Sequence, residues 1–290
     1  MNSNVLEVTN LNKKYPSFEL KDVSFSLKQG EIMGFVGRNG AGKTTTIKSM
    51  FNIVHPDSGT VLFNGVPFLD HELENKQKLS ILLGGIDYYP KTKLKTLSKV
   101  TKRFYKDWDE TKYALLLKRF SLDENKRVQE LSAGMKVKYS LAIALSHHAN
   151  VLVLDEPTSG LDPISRDELL EIFEKLVDEE KVSILFSTHI TSDLEKCADT
   201  ITYIQQGKII ASKGLKDFKN DYLFIKGEES DTFTKIKDKA ISYHSRHNDI
   251  EALFKKEDYP SNDTYTPYVP DIDTIMVYLE RKNANEEPSI

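Results

Sequence analysis

Apolar positions along the chain change period several times, and each change predicts an element. Val5 to Val8, then Val23, Phe25 and Leu27 in strict alternation with polar residues, predict half-buried strands. Ile32 to Val36 is a short apolar strand, and Thr45 to Phe51 continues as a helix after a glycine-rich turn. Thr60 to Phe63, closed by Asn64-Gly65, predicts another strand and turn. From about Lys91 to Arg127 the pattern is helical and lysine-rich, with Leu115, Leu116 and Phe120 as expected core positions. Val137, Leu141, Ala144 and Leu145 recur at helical spacing. Val151 to Leu154 suits a buried parallel strand. Leu169, Phe173, Leu176 and Val177 mark the next helix, and Val182 to Phe186 the next strand. Ile201, Tyr203 and Ile204 run into Gln206-Gly207, which predicts a hairpin with Ile209-Ile210. This alternation predicts an α/β fold with a central, mostly parallel sheet and an antiparallel β part at the N-terminus.

The pattern weakens after about Asn220, where scattered apolar residues give way to a Pro-, Asn- and Asp-rich stretch, Tyr259 to Asp273, and a short helical run, Ile275 to Leu279. We therefore expect a main domain over 1–219, with a helical subdomain at 85–148 inside it, and a small C-terminal accessory region over 220–290. A chain of 290 residues with 39% hydrophobic and 29% charged residues can bury one large core. The net charge of −4 gives no footprint for nucleic acid, so no nucleic-acid partner is expected. No apolar run approaches the roughly 18–20 residues of a membrane span, and Met1 to Asn4 carries no secretory pattern. Cys197 is the sole cysteine, which excludes an internal disulfide.

Chemistry concentrates at Gly37-Arg38-Asn39-Gly40-Ala41-Gly42-Lys43-Thr44, followed by Thr45. This is Gly, four residues, Gly-Lys and a hydroxyl residue, set between a strand and a helix. Backbone N–H groups of such a loop turn toward a phosphate chain, and the helix N-terminus favours the anion. Lys43 can reach the β- and γ-phosphates, and the Thr44 hydroxyl can hold Mg²⁺. A nucleoside triphosphate site is predicted. Asp155, at the carboxyl end of the Val151 strand, can orient water on Mg²⁺, and Glu156 can polarise the attacking water. Leu131-Ser132-Ala133-Gly134-Met135 opens the Val137 helix and offers a second anion-binding helix end.

One nucleotide does not need two such ends. With Leu131 to Met135 lying between the phosphate loop and the Asp155 strand, the chain resembles the ATP-binding cassette ATPases over about Val5 to Leu215. The resemblance implies a phosphate-loop cassette in which Ser132 and Gly134 of one subunit close over ATP held by the other. It also implies that Ser159-Gly160-Leu161-Asp162 crosses the dimer seam, that His189 contacts the γ-phosphate, and that Tyr15 stacks on adenine. Glu156, His189 and Lys43 would then be catalytic, and Thr44 with Asp155 would hold Mg²⁺. Two departures stand out. Gly84 occupies the place of the family's usual glutamine, and Ala133 and Met135 replace two signature residues.

Within that family a single cassette without a long insertion implies a separate ATPase subunit. Leu131 to Leu145, with Gly-Met-Lys followed by an Ala/Leu-rich helix, resembles those of ABC-2-type exporters, and Leu82 to Gly85 with the C-terminal region resembles those serving bacterial peptide and antimicrobial export. That implies an integral-membrane permease and a second ATPase subunit as partners, at the cytoplasmic face of the membrane. A non-transport cassette switch acting on translation or on a sensor kinase is the alternative. Tyr88 and Tyr89 are candidate contacts to the permease in place of the missing glutamine.

Overall fold

The computed structural model describes residues 4–84, 89–260 and 264–284. Two compact units emerge, Met1–Ser212 and Lys213–Ile290. In the first, β1 (Asn4–Tyr15) and β2 (Phe18–Lys28) form an antiparallel pair. β1 runs farther than its hydrophobic pattern indicates, because a register shift between Val8 and Leu11 carries it past polar Thr9 and Asn10. Asn10 takes a positive φ of 49° at this irregularity.

β3 (Ile32–Val36) is buried at all five positions and ends at the glycine-rich loop, which feeds α1 (Lys43–Met50). β4 (Ser58–Phe63) and the two-residue β5 (Val66–Pro67) return to the first sheet, whose order is β2-β1-β4-β5. α2 (Glu72–Lys78) leads into β6 (Leu79–Leu83). A helical lobe follows, built from α3 (Leu94–Thr101), α4 (Glu110–Arg119) and α5 (Ala133–Ser146). Leu116 and Phe120 are buried there as expected, whereas Leu115 is 63% exposed. α4 turns Tyr113, Leu116, Leu117 and Phe120 inward at helical spacing, and Leu115 falls on the opposite side.

The chain then returns to the central sheet through β7 (Val151–Asp155), α6 (Pro163–Glu180), β8 (Ser183–Thr188), α7 (Thr191–Cys197), β9 (Thr200–Gln205) and β10 (Lys208–Gly214). Strand order in this sheet is β10-β9-β3-β8-β7-β6, with parallel pairing between β6 and β7, β7 and β8, β8 and β3, and β3 and β9. β9 and β10 meet at Gln206–Gly207, where both residues have positive φ (46° and 75°), the conformation a tight two-residue turn requires. Leu6, Leu11, Val23 and Phe63 of the antiparallel sheet pack with Phe35, Ile47, Val153 and Leu185 into one core. That core fixes α1 and the ends of β3 and β7 on a common scaffold.

The second unit holds α8 (Leu215–Asn220), β11 (Tyr222–Glu228), α9 (Asp231–Ile236), β12 (Ser242–Arg246), β13 (Asp249–Lys255) and α10 (Ile272–Ala284). Its antiparallel sheet has the order β11-β13-β12, with Ile225, Phe233, Ile250, Phe254 and Tyr265 in its core.

Candidate nucleotide site

Three neighbouring parallel strands, β3, β8 and β7, deliver their carboxyl ends to one place, the location where open α/β sheets bind ligands. β3 delivers the loop 37–42. Here two of its three glycines serve the packing behind the loop. A Cβ on Gly37 would lie 2.3 Å from the Ile204 carbonyl oxygen, and one on Gly42 2.7 Å from Leu20 Cδ2 and 2.9 Å from Phe18 Cζ. Gly42 also takes φ 115° as the residue preceding α1, whose first turn holds no acidic residue. Gly40 takes φ 83° with open space around it, so its role is the turn itself. Arg38, Asn39 and Gly40 are exposed, Ala41 and Lys43 buried, and Thr44 and Thr45 half-buried.

The Lys43 ammonium folds back over the loop, donating to the Gly37 carbonyl at 2.7 Å and the Arg38 carbonyl at 3.4 Å. It lies 3.1 Å from Glu156 Oε1. The second Glu156 oxygen is 2.7 Å from His189 Nδ1. Thr44 donates its hydroxyl to Asp155 Oδ2 at 2.7 Å. Lys43, Thr44, Asp155, Glu156 and His189, scattered over 147 positions of sequence, therefore come together as two bonded sets that adjoin at Asp155 and Glu156.

Ser187 completes the network, and the motif reading gave it no role of its own. Its hydroxyl donates to Asp155 Oδ1 at 2.6 Å and accepts the Glu156 N–H at 2.9 Å. Glu156 has a positive φ of 53°, unusual for a residue with a side chain, and the Ser187 hydroxyl holds that backbone in place. A hydroxyl residue directly after the apolar run Ile184, Leu185 and Phe186 was the available sequence signal. Another cross-link went unread: Arg166 of α6 lies 3.6 Å from Asp193 of α7. Burial outweighs that partner and raises the Asp193 carboxyl above its ordinary value.

Oxygen donors decide whether a metal fits. The Thr44 hydroxyl and Asp155 carboxylate are hard ligands already in mutual contact. No cluster of three or more His, Cys, Asp or Glu ligands occurs among the described residues. That set cannot cage a metal alone, but it suits Mg²⁺, which keeps waters and phosphate oxygens as its other ligands.

Other expected site residues lie apart from this network. Ser132 caps α5, accepting the Met135 N–H at 3.2 Å, and is exposed. Neither Ser132 nor Gly134 hydrogen-bonds the loop 37–44 within the chain. A Cβ on Gly134 would meet nothing closer than 3.5 Å, so the fold itself does not demand glycine there. Asp162 caps α6 by accepting the N–H groups of Ile164 (3.1 Å) and Ser165 (3.0 Å), and the Ser165 hydroxyl donates to it at 2.6 Å. The Ser165 hydroxyl leads these bonds in holding its carboxyl below the usual value. Tyr15 ends β1, 38% exposed, opposite Phe18, which packs on Gly42. Gly84 leaves β6 with φ 65°. Tyr88 lies outside the described residues. Tyr89 borders a groove of about 450 Å³ lined also by Leu82, Leu83, Leu97, Tyr105 and Tyr139, between β6 and the helical lobe.

A phosphate loop joined through its threonine to an acidic strand end, with a helical lobe carrying a second capped helix, defines a nucleotide-hydrolysing cassette. Comparison with known proteins agrees. Residues 20–159 match the protein-family profile described as ABC transporter. The chain is 34% identical over 206 residues to the ABC transporter ATP-binding protein YtrB of Bacillus subtilis, covering 71% of this chain and 70% of that one. It is 32% identical over 211 residues to the bacitracin transport ATP-binding protein BcrA of Bacillus licheniformis, covering 72% and 69%. Among solved structures, an ATP-binding subunit of an ABC transporter superposes with a TM-score of 0.66 at 28% identity, covering 74% of this chain and 92% of that one. The chain belongs to the ABC transporter ATP-binding family, and its activity is that family's ATPase.

Proposed function

We propose that this chain is the ATP-hydrolysing subunit of an ABC-2-type exporter, a peripheral protein on the cytoplasmic face that drives a separate integral-membrane permease. No helix among the described residues is long and apolar enough to cross a membrane, and in this reading a separate permease supplies the conduit. The observation that carries the reading is the network joining Lys43, Thr44, Asp155, Ser187, Glu156 and His189 at three adjacent strand ends.

Lys43 and the loop N–H groups bind the phosphates. Thr44 and Asp155 would hold Mg²⁺, which would neutralise charge on the phosphoryl oxygens when bound. Glu156 orients and deprotonates the attacking water, and His189, held against it at 2.7 Å, contacts the γ-phosphate. Entry of the triphosphate must separate Lys43 from Glu156, so the contact at 3.1 Å acts as a latch that substrate opens. Ser132 and Gly134 have no partner in the loop of their own chain, which supports their acting on nucleotide held by a second subunit, with Asp162 at the seam. Two chains would thereby close over two ATP molecules, and Tyr15 would stack on adenine. The groove beside Tyr89 is the proposed seat of the permease contact.

For cargo, we infer a peptide, a toxin or an antimicrobial compound. The bacitracin transport protein among the relatives supports this class, as does the resemblance of the sequence to the staphylococcal exporter of phenol-soluble modulins. Purification of the tagged chain from its own membranes in mild detergent tests the reading. A stoichiometric multi-span membrane protein is expected, and recovery with ribosomes or a sensor kinase would overturn it.

A further inference from the structure

The helical lobe has a charge opposite to the rest of the chain. Residues 89–148 contain fourteen lysines and arginines against six carboxylates, whereas the remainder contains 26 against 38. Part of this charge is neutralised inside the protein, since Lys102 pairs with Glu110 at 3.0 Å and Lys112 with Glu180 at 2.6 Å. The outer face of α3 is different. Lys95, Lys99 and Arg103 recur four residues apart and form one exposed stripe along α3 and the turn that follows it. Lys95 reaches only a neutral amide oxygen, Asn125 Oδ1, at 2.9 Å. Beside the stripe stand two apolar side chains in open solvent, Val100 at 50% and Phe104 at 70% exposure.

This arrangement is held, not loose. Leu94 and Ser98, on the face adjoining the stripe, are buried and anchor α3. Gln77 pins the turn at both ends of its amide, donating to the Phe104 carbonyl at 2.9 Å and accepting the Lys106 N–H at 3.0 Å. The fold keeps Phe104 outward while burying little of it. The α3 start is also crowded by Lys91, Lys93 and Lys95 with no acidic residue in its first turn, a placement the helix dipole opposes. A rigid cationic stripe flanked by exposed apolar residues matches the boundary between anionic headgroups and acyl chains, where long basic side chains reach phosphate while an aromatic ring enters below. We propose that α3 and the turn through Phe104 form a docking surface for a bilayer rich in anionic phospholipid, setting the lobe against the membrane independently of the permease.

Sedimentation of the full chain with vesicles, permease absent, tests this apart from the exporter reading. Vesicles of phosphatidylcholine with about one third phosphatidylglycerol should carry the protein down at 50 mM salt, with binding falling steeply by 300 mM. Pure phosphatidylcholine vesicles should carry little. Replacing Lys95, Lys99 and Arg103 by Gln should weaken partitioning about five-fold per residue, roughly a hundred-fold together. Phe104→Ser should weaken it about five- to ten-fold at either salt concentration. The same replacements should leave ATPase activity in solution unchanged, showing that the variants fold. Equal binding to both lipids, or undiminished binding by the triple variant, would overturn the proposal. So would binding that appears only when the permease is in the vesicle, which would assign the stripe to a protein partner.

Discussion

Glu156→Gln separates the chemistry of the site from its electrostatics. The Lys43 side chain is 6% exposed and that of Glu156 23%, and their charged atoms are 3.1 Å apart. Opposite unit charges at this separation attract by about 5 kcal/mol at an effective dielectric of 20. Desolvation of both groups offsets much of that, and the Gly37 and Arg38 carbonyls still accept from Lys43 in the variant. The net loss of stability should be about 1–3 kcal/mol. In a unit of this size that lowers the melting temperature by on the order of 5 °C in the absence of nucleotide. The sign reverses when ATP is added. An amide competes with the triphosphate for Lys43 less strongly than a carboxylate does, so affinity should rise about three- to ten-fold while hydrolysis falls at least about a hundred-fold. Differential scanning fluorimetry with and without nucleotide, together with calorimetric titration, reads all three quantities. A variant that melts like the parent and binds ATP more weakly would refute the latch between Lys43 and Glu156.

Lys43→Ala should lose nucleotide affinity in calorimetry, whereas Ser132→Arg should bind ATP almost normally yet lose turnover through bulk at the closing surface; equal loss of affinity in both would remove the second-subunit role of Ser132. His147 is buried, stacks on Tyr105 with ring centroids 3.7 Å apart, and donates Nδ1–H to the Gln77 carbonyl at 3.1 Å. Burial lowers its pKa from 6.5 to about 4. The unfolded chain takes up that proton near pH 6.5 and the folded chain does not, so stability is lost as the pH falls from 6.5 to 4, by about 3 kcal/mol at the acid end. His147→Gln should flatten this part of the curve in urea melts at pH 7, 5.5 and 4.5; an unchanged slope would assign the acid loss to other groups. Burial pushes the Cys197 thiol up to about 12, so a disulfide reagent at pH 8 should label it only as the chain unfolds, and immediate stoichiometric labelling would contradict its placement.

The legible part of the molecule was the part written in contiguous residues. Ile32 to Thr44 and Val151 to Glu156 each combine a strand and its functional end in one run, so local pattern and chemistry coincide. Ser187 could be noticed but not assigned, because its partners depend on the register that places Asp155 opposite it across β7 and β8. Register is a tertiary property, and no residue count between 155 and 187 reveals it. Leu115 was misplaced for a simpler reason. Ala114 to Leu117 is apolar throughout, and an unbroken run does not show which leucine the helix turns outward. The packing behind Gly37 and Gly42, against Ile204, Leu20 and Phe18, comes from other strands and is invisible in the local motif. Of the C-terminal unit only a short helical run was legible and no chemistry, since its scattered apolar residues fill its own core.

Closure of two chains over two nucleotides is the central claim, and the molar mass of Glu156→Gln in solution tests it most directly. Without nucleotide, light scattering should give a monomer of 33.1 kDa. With ATP and Mg²⁺ the mass should double to about 66 kDa, and adding Ser132→Arg to the same chain should return it to the monomer. A chain that binds ATP yet stays at the monomer mass at every protein concentration would contradict the account.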